Sequence, residues 1–224
     1  MKDRIITPIG IVKNNFPTKF GLPRQSGLAN VHSKIVFDKR FSDVDAVRGI
    51  DGFSHLWIIW GFDNENKEFS PTVRPPMLGG NQRVGVFATR SPNRPNGLGM
   101  SVVKLLAVER ENGQTVLRVS GGDFVDGTEV FDVKPYLGYV DSVQGAVDGF
   151  ARQKEEYLLK VEWDCETSDF DSAELEELTG ALSRDPRPQY HEDGREYGLL
   201  YKDKDVKFVV ENGIVKVKEI ENAK

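Results

Sequence analysis

The chain has 224 residues, 38% of them apolar and 29% charged, with a formal net charge of −5. That length supports one substantial core and a small second unit, and the negative balance excludes a general electrostatic coat for nucleic acid while leaving room for a local basic patch. No apolar run approaches the roughly 18 residues of a membrane span. Cys165 has no second thiol to pair with and the three histidines are scattered, so a cytoplasmic protein without metal or redox chemistry is expected.

Taken in order, residues 5–13 (IITPIGIVK) are rich in β-branched side chains and predict a first strand. Residues 14–30 hold Gly21, Pro23 and Gly27 with few apolar anchors, so they read as a surface loop on which Arg24 and Gln25 stand side by side. Residues 32–37 (HSKIVF) predict a second strand, and 42–48 a short helix with Ser42 as its N-cap. Residues 52–63 (GFSHLWIIWGFD) form the most apolar run and predict a central strand, its histidine and tryptophans belonging to the core and its polar exit formed by Asp63 and Asn64.

The most informative stretch is 85–100, GVFATRSPNRPNGLGM. Val84, Val86 and Ala88 alternate at strand period and a strand restarts at Met100, so the segment between is an irregular loop. Pro92 and Pro95 fix φ, Asn93 and Asn96 tolerate turns, and Gly97 and Gly99 permit unusual backbone. Arg90 and Arg94 project from this stiff loop and suit a polar or anionic ligand. Residues 115–120 and 128–133 predict two more strands around Gly122, Asp123, Phe124, Val125 and Asp126.

Six or more short strands with no βαβ rhythm and no Gly-rich turn after the first strand predict a mainly β protein, an antiparallel barrel or sandwich rather than a doubly wound sheet. Beyond residue 142 the character changes. Residues 144–152 read as a linker, 157–163 as a strand, and 172–182 as a helix with Leu175, Leu178 and Leu182 on one face. Strands at 197–201, 206–210 and 214–217 close the chain, the last two joined by Asn212-Gly213. The expected organisation is a barrel over 1–143, a linker and connecting strand over 144–164, and a small α+β domain over 165–224.

The loop ATRSPNRPNGLGMS resembles the signature of the TrmO family, tRNA methyltransferases of TsaA-like β-barrel fold that use S-adenosylmethionine to methylate N6 of threonylcarbamoyl-adenosine next to the anticodon. FPTKFGLPRQSGL, DAVRGIDGFSHLWIIWGF, RPPMLGG and VDGTEVFDVKPYLGYVDS occur in the family's order and spacing, and DPRPQY (185–190) extends the resemblance into the tail. Where members often read RPNPIG, this chain has Gly97 and Leu98, which loosens the loop without removing a polar group.

The resemblance implies a homodimer acting on tRNA and cofactor contacts at Pro23, Arg24, Gln25, Asp63, Asn64, Arg90, Ser101, Gly122, Asp123, Phe124 and Val125. Transfer from a sulfonium to an amide-like nitrogen needs in-line approach, exclusion of water and an acceptor for the N6 proton. Asp126, Asp132 and Asp123 are the acid–base candidates, with no single one assigned, and Lys134 joins the first two as a catalytic candidate. The threonyl carboxylate asks for a cation, for which Arg90, Arg94, Lys134 and Arg187 are available. Asn96, Tyr136, Asp185 and Tyr190 complete the expected substrate contacts, the last by stacking on an unpaired base. The alternative is a non-catalytic β-domain that binds S-adenosylmethionine or a nucleotide in a regulatory role. Deletion of 166–224 is expected to leave cofactor binding measurable while weakening tRNA methylation.

Overall fold

A computed structural model describes residues 2–62, 69–151, 158–188 and 193–223. Its first unit is a closed barrel of six strands in the order β1 (Gly10–Lys13), β2 (His32–Phe37), β7 (Gln114–Ser120), β6 (Leu98–Glu111), β3 (His55–Gly61) and β8 (Glu129–Pro135), with β8 returning to β1. Every neighbouring pair in the barrel is antiparallel. A two-stranded ribbon, β4 (Thr72–Val73) with β5 (Val84–Gly85), stands on the connection from β3 to β6.

Closure follows from the period-2 pattern. On β3, Leu56, Ile58 and Trp60 are buried while the residues between them are half-exposed, and Val12, Ile35, Val103, Leu117, Val119, Phe124 and Val130 meet them from the other strands and the β7–β8 connection. Of the aromatics expected in the core of this strand, Trp60 is there. Trp57 and His55 instead face outward, both against the ring of Tyr136, because alternate residues of a barrel strand must point away from its axis.

Several expected elements differ. Strand pairing in β1 begins at Gly10, not at residue 5, and Ile5 is 98% exposed; Pro8 has no N–H to give a neighbour. The helix expected at 42–48 is a 3₁₀ turn, Val44–Val47, capped by Asp43, while Ser42 ends a preceding turn, Lys39–Phe41. The strand expected before the Arg90 loop is only β5, since Val86–Ala88 curls into another 3₁₀ turn. Asn112 and Gly113, both at positive φ, form a second Asn-Gly hairpin between β6 and β7.

The second unit is a sheet in the order β10 (Glu196–Tyr201), β11 (Lys204–Glu211), β12 (Ile214–Asn222) and β9 (Lys160–Trp163), the last pair parallel. After α1 (Gly138–Asp141), the chain's longer helix α2 (Ser172–Leu182) lies over this sheet, started by a capping box between Asp171 and Glu174. Leu178 and Leu182 are wholly buried and Leu175 is partly so, as the helical spacing requires. The loop between β1 and β2 is less superficial than its composition indicates. Phe16 and Val31 are fully buried, and Phe20 and Leu22 partly, all in the core of the second unit.

Candidate functional site

At one end of the barrel the exit of β3, the β7–β8 connection and the β1–β2 loop surround a cleft of about 220 Å³. Trp60, Phe62, Phe124 and Leu22 supply apolar walls, and Lys19, Arg24, Asp123 and Thr128 supply polar groups. This is smaller than the roughly 300–1,000 Å³ usual for ligand pockets, so an adenosine-sized ligand would extend beyond it into the open mouth.

A chain of hydrogen bonds fixes the carboxylate in this cleft. The indole N–H of Trp60 donates to Ser101 Oγ at 2.9 Å, and Ser101 Oγ–H donates to Asp123 Oδ1. Ser101 is therefore turned inward, 1% exposed, rather than toward solvent. Burial raises the Asp123 carboxyl above its usual range, opposed by the Ser101 hydroxyl, its own and Ser26's backbone N–H groups, and the charge of Arg90. Gly99 lets this arrangement pack, since a Cβ there would lie 2.4 Å from the Trp60 ring.

Arg90 reaches across to the β1–β2 loop and donates to Gln25 Oε1 at 2.5 Å, while Gln25 Nε2 donates to the Arg24 carbonyl at 2.6 Å. Pro23 is buried and Arg24 exposed, with Arg24 Nη2 donating to the carbonyl of Arg187 at 3.0 Å. The fold thus gathers Pro23, Arg24, Gln25, Arg90, Ser101, Asp123, Phe124 and Val125 around one barrel end, with Gly122 beside them in the chain. Asp63, Asn64 and Tyr190 lie outside the described residues.

Arg94 sits differently. Its Nη1 donates to the carbonyls of Thr89 (2.6 Å) and Val86 (3.3 Å), and its guanidinium lies 5.5 Å from the centre of the Phe87 ring, so it braces the loop from which Arg90 projects. Asn96 is exposed on the same loop. Asn93 Oδ1 on this loop is buried without a hydrogen-bond partner.

The remaining candidates lie apart from the cleft lining. Asp126 is engaged by the backbone N–H of Asn14 (3.1 Å) and by Lys13 (3.3 Å), which ties the end of β1 to the β7–β8 connection. Asp132 and Lys134 form a partly exposed pair at 2.8 Å on β8, and the pairing raises the Lys134 pKa. Tyr136 packs on Trp57, whose indole N–H donates to Asp141. Arg187 is committed internally. Its Nε and Nη2 form a two-point pair with Asp185 (2.8 and 2.9 Å) and its Nη1 meets Asp193 at 3.0 Å, so its pKa is raised and it holds the tail while its carbonyl holds Arg24.

Sequence reasoning missed Trp60, Phe62, Leu22 and Thr128 as cleft walls, while Lys19 belonged to the basic residues expected to allow a local patch. Of the missed four only Trp60 carried a signal, a large aromatic one residue from the end of an apolar strand, and it serves both core and cleft. Among the described residues no group of three His, Cys, Asp or Glu side chains is placed to hold a metal, and no helix is long and apolar enough to cross a membrane.

The residues fit an adenosine-bearing cation such as S-adenosylmethionine. A half-buried carboxyl group next to flat aromatic walls offers a partner for positive charge or hydroxyls and a surface for a purine. When bound, that molecule supplies an electrophilic methyl group, and Trp60, Phe62, Phe124 and Asp123 are the residues that would hold it. Arg90 orients the loop that closes over the carboxylate. Arg90→Ala is expected to weaken cofactor binding about tenfold by freeing Gln25 and unscreening Asp123, with the melting temperature little changed because the guanidinium is exposed; titration calorimetry measures it.

The family described as tRNA-methyltransferase O N-terminal domain matches residues 11–142, and the TrmO C-terminal domain matches residues 156–223. The tRNA (adenine(37)-N6)-methyltransferase of Escherichia coli (strain K12) is 38% identical over 203 residues, 86% of each chain. A putative S-adenosylmethionine-dependent methyltransferase of Pseudomonas aeruginosa, named RcsF, is 39% identical over 215 residues, 90% of each chain. The crystal structure of TrmO from Pseudomonas aeruginosa superimposes with a TM-score of 0.78 at 32% identity, covering 99% of this chain and 100% of that one. Barrel, cleft and relatives together define a methyltransferase of the β-barrel class that uses S-adenosylmethionine, with no doubly wound sheet among the described residues. The chain belongs to the TrmO family of tRNA methyltransferases.

Proposed function

We propose that this chain transfers the methyl group of S-adenosylmethionine to N6 of threonylcarbamoyl-adenosine, immediately 3′ of the anticodon in tRNA. The observation that carries the reading is the convergence of Asp123, Ser101, Arg90 and the 23–25 loop at one barrel end in a chain of this family. Pro23, Arg24, Gln25, Arg90, Ser101 and 122–125 are proposed to hold the cofactor, together with Asp63 and Asn64.

Asp126, Asp132 and Lys134 are proposed to serve the acceptor side. Asp132 and Lys134 project from the barrel wall, so they would do so in a composite site of a homodimer, one protomer lending its β8 face to the cleft of its partner. Arg94, Asn96, Tyr136, Asp185, Arg187 and Tyr190 are the proposed RNA side. For Arg94 and Arg187 that role runs through the loops they brace, since their guanidinium groups are already hydrogen-bonded within the chain. We take 1–143 as the barrel domain, 144–164 as the connection, whose strand β9 joins the sheet of the second unit, and 165–224 as the rest of the α+β domain, acting in the cytoplasm.

The deciding experiment follows methyl-labelled S-adenosylmethionine into tRNA that carries or lacks the threonylcarbamoyl group. Label is expected in the modified tRNA alone. Cofactor binding with no transfer to either tRNA would establish the regulatory alternative instead.

A further inference from the structure

Glu177 places a carboxyl group inside the protein, 3% exposed, on the face of α2 that meets the start of β2. Its Oε1 accepts the backbone N–H of His32 at 2.5 Å, with His32 Nδ1 at 3.8 Å, and its Oε2 accepts the hydroxyl of Tyr201. That hydroxyl in turn accepts from Asn15 Nδ2 at 2.9 Å. Asn15 follows β1 and His32 opens β2, so one carboxyl group of the second unit holds the β2 end of the loop that carries Pro23, Arg24 and Gln25 directly and the β1 end through Tyr201.

The rest of the loop is seated on the same unit. Lys202 N–H donates to Asn15 O at 2.8 Å, Phe16 meets Tyr201 edge-on at 5.2 Å, and Phe20 stacks on Tyr197 at 6.0 Å. A Cβ on Gly21 would lie 2.3 Å from Leu199, and Arg24 reaches the Arg187 carbonyl. On its other side the loop meets the barrel where the cleft lies, through Gly27 N–H to Gly121 O at 2.9 Å.

We propose that the C-terminal unit is part of the cofactor site, with Glu177 as the positioning residue that fixes both ends of the 14–31 loop over the cleft. The inference rests on the reading that this loop contacts S-adenosylmethionine. A buried carboxylate suits the task because it can accept from a backbone N–H and a hydroxyl at once, giving directional restraint that an apolar contact lacks. Burial raises its pKa, opposed chiefly by the Tyr201 hydroxyl and the His32 N–H. Preorganising a loop in its bound form removes an ordering penalty from binding.

The test uses the full chain with Glu177→Leu, Glu177→Gln and Tyr201→Phe. Amide exchange over 14–31 without ligand is read beside exchange over β10–β12, together with the dissociation constant for S-adenosylmethionine. Glu177→Leu is expected to speed exchange in the loop while the sheet stays protected, and to weaken binding about tenfold. Glu177→Gln retains the acceptor for His32 N–H and should recover most of both. Tyr201→Phe should move both in the same direction by a smaller factor, and it decides the matter if Glu177→Leu fails to fold.

Unchanged loop exchange and affinity overturn the proposal, as does loss of protection throughout the sheet, which would make Glu177 a general stabiliser. If the unaltered protein binds no S-adenosylmethionine, the functional reading fails by itself and the exchange measurement alone decides this inference.

Discussion

Asp123→Asn is expected to weaken S-adenosylmethionine binding by about 10- to 100-fold while leaving the ligand-free protein as stable as before or more so. The affinity loss follows from removing an anion from a half-buried cleft, where hydrogen bonds to charged groups contribute about 1.5–3 kcal/mol. The stability effect has the opposite sign. Burial raises the Asp123 pKa in the folded protein, so the stability it contributes is full below the unfolded carboxylate pKa and is lost as pH rises through the folded value.

Above that folded value the empty protein carries the penalty of an ionised, desolvated carboxylate, and the amide relieves it. Asparagine still accepts from Ser101, so the Trp60–Ser101 chain survives. Cofactor affinity of the unaltered protein should fall as the pH is lowered through the raised Asp123 pKa, and this fall should vanish in the variant. Calorimetry across the acidic range and thermal melting at neutral pH measure both. Equal affinity in the two proteins would remove Asp123 from the cofactor site.

Deleting 166–224 is expected to abolish cofactor binding, the reverse of the sequence-based expectation. The deletion removes α2 and β10–β12, against which Phe16 and Val31 are fully buried and Phe20 and Leu22 partly buried. At about 1.5–3 kcal/mol for each large apolar side chain fully buried, re-exposing these four forfeits several kcal/mol. That is a large share of the roughly 5–15 kcal/mol that stabilises a whole domain. The β1–β2 loop then loses its seat, and Gln25 leaves Arg90. Circular dichroism of the truncated chain, with calorimetry for the cofactor, measures the outcome. A folded barrel that binds S-adenosylmethionine with full-length affinity would show that the loop holds its own shape.

What the sequence determined by itself is local. Period-2 alternation in GFSHLWIIW places Leu56, Ile58 and Trp60 on one face wherever the strand lies, and the 3.6-residue spacing of Leu175, Leu178 and Leu182 does the same for α2. Asn212-Gly213 sets a hairpin because both residues tolerate positive φ. Lack of a βαβ rhythm ruled out the doubly wound sheet, and the Arg90 loop together with the Asp123 connection marked the site through their resemblance to a known family.

Tertiary structure decided the rest, because the decisive contacts span long sequence separations with no local signature. Nothing in the spacing of Asn15, His32, Glu177 and Tyr201 announces that one carboxylate will join them. Composition made 14–30 a surface loop, since its few apolar residues are diluted by polar ones, yet Phe16 finds its partners in a unit more than 150 residues along the chain. Arginines expected to meet a ligand were separated by the same cause. Arg90 faces Gln25 across the cleft, whereas Arg94 and Arg187 are consumed by carbonyls and carboxylates close by, and only the folded backbone decides which guanidinium groups remain for a ligand.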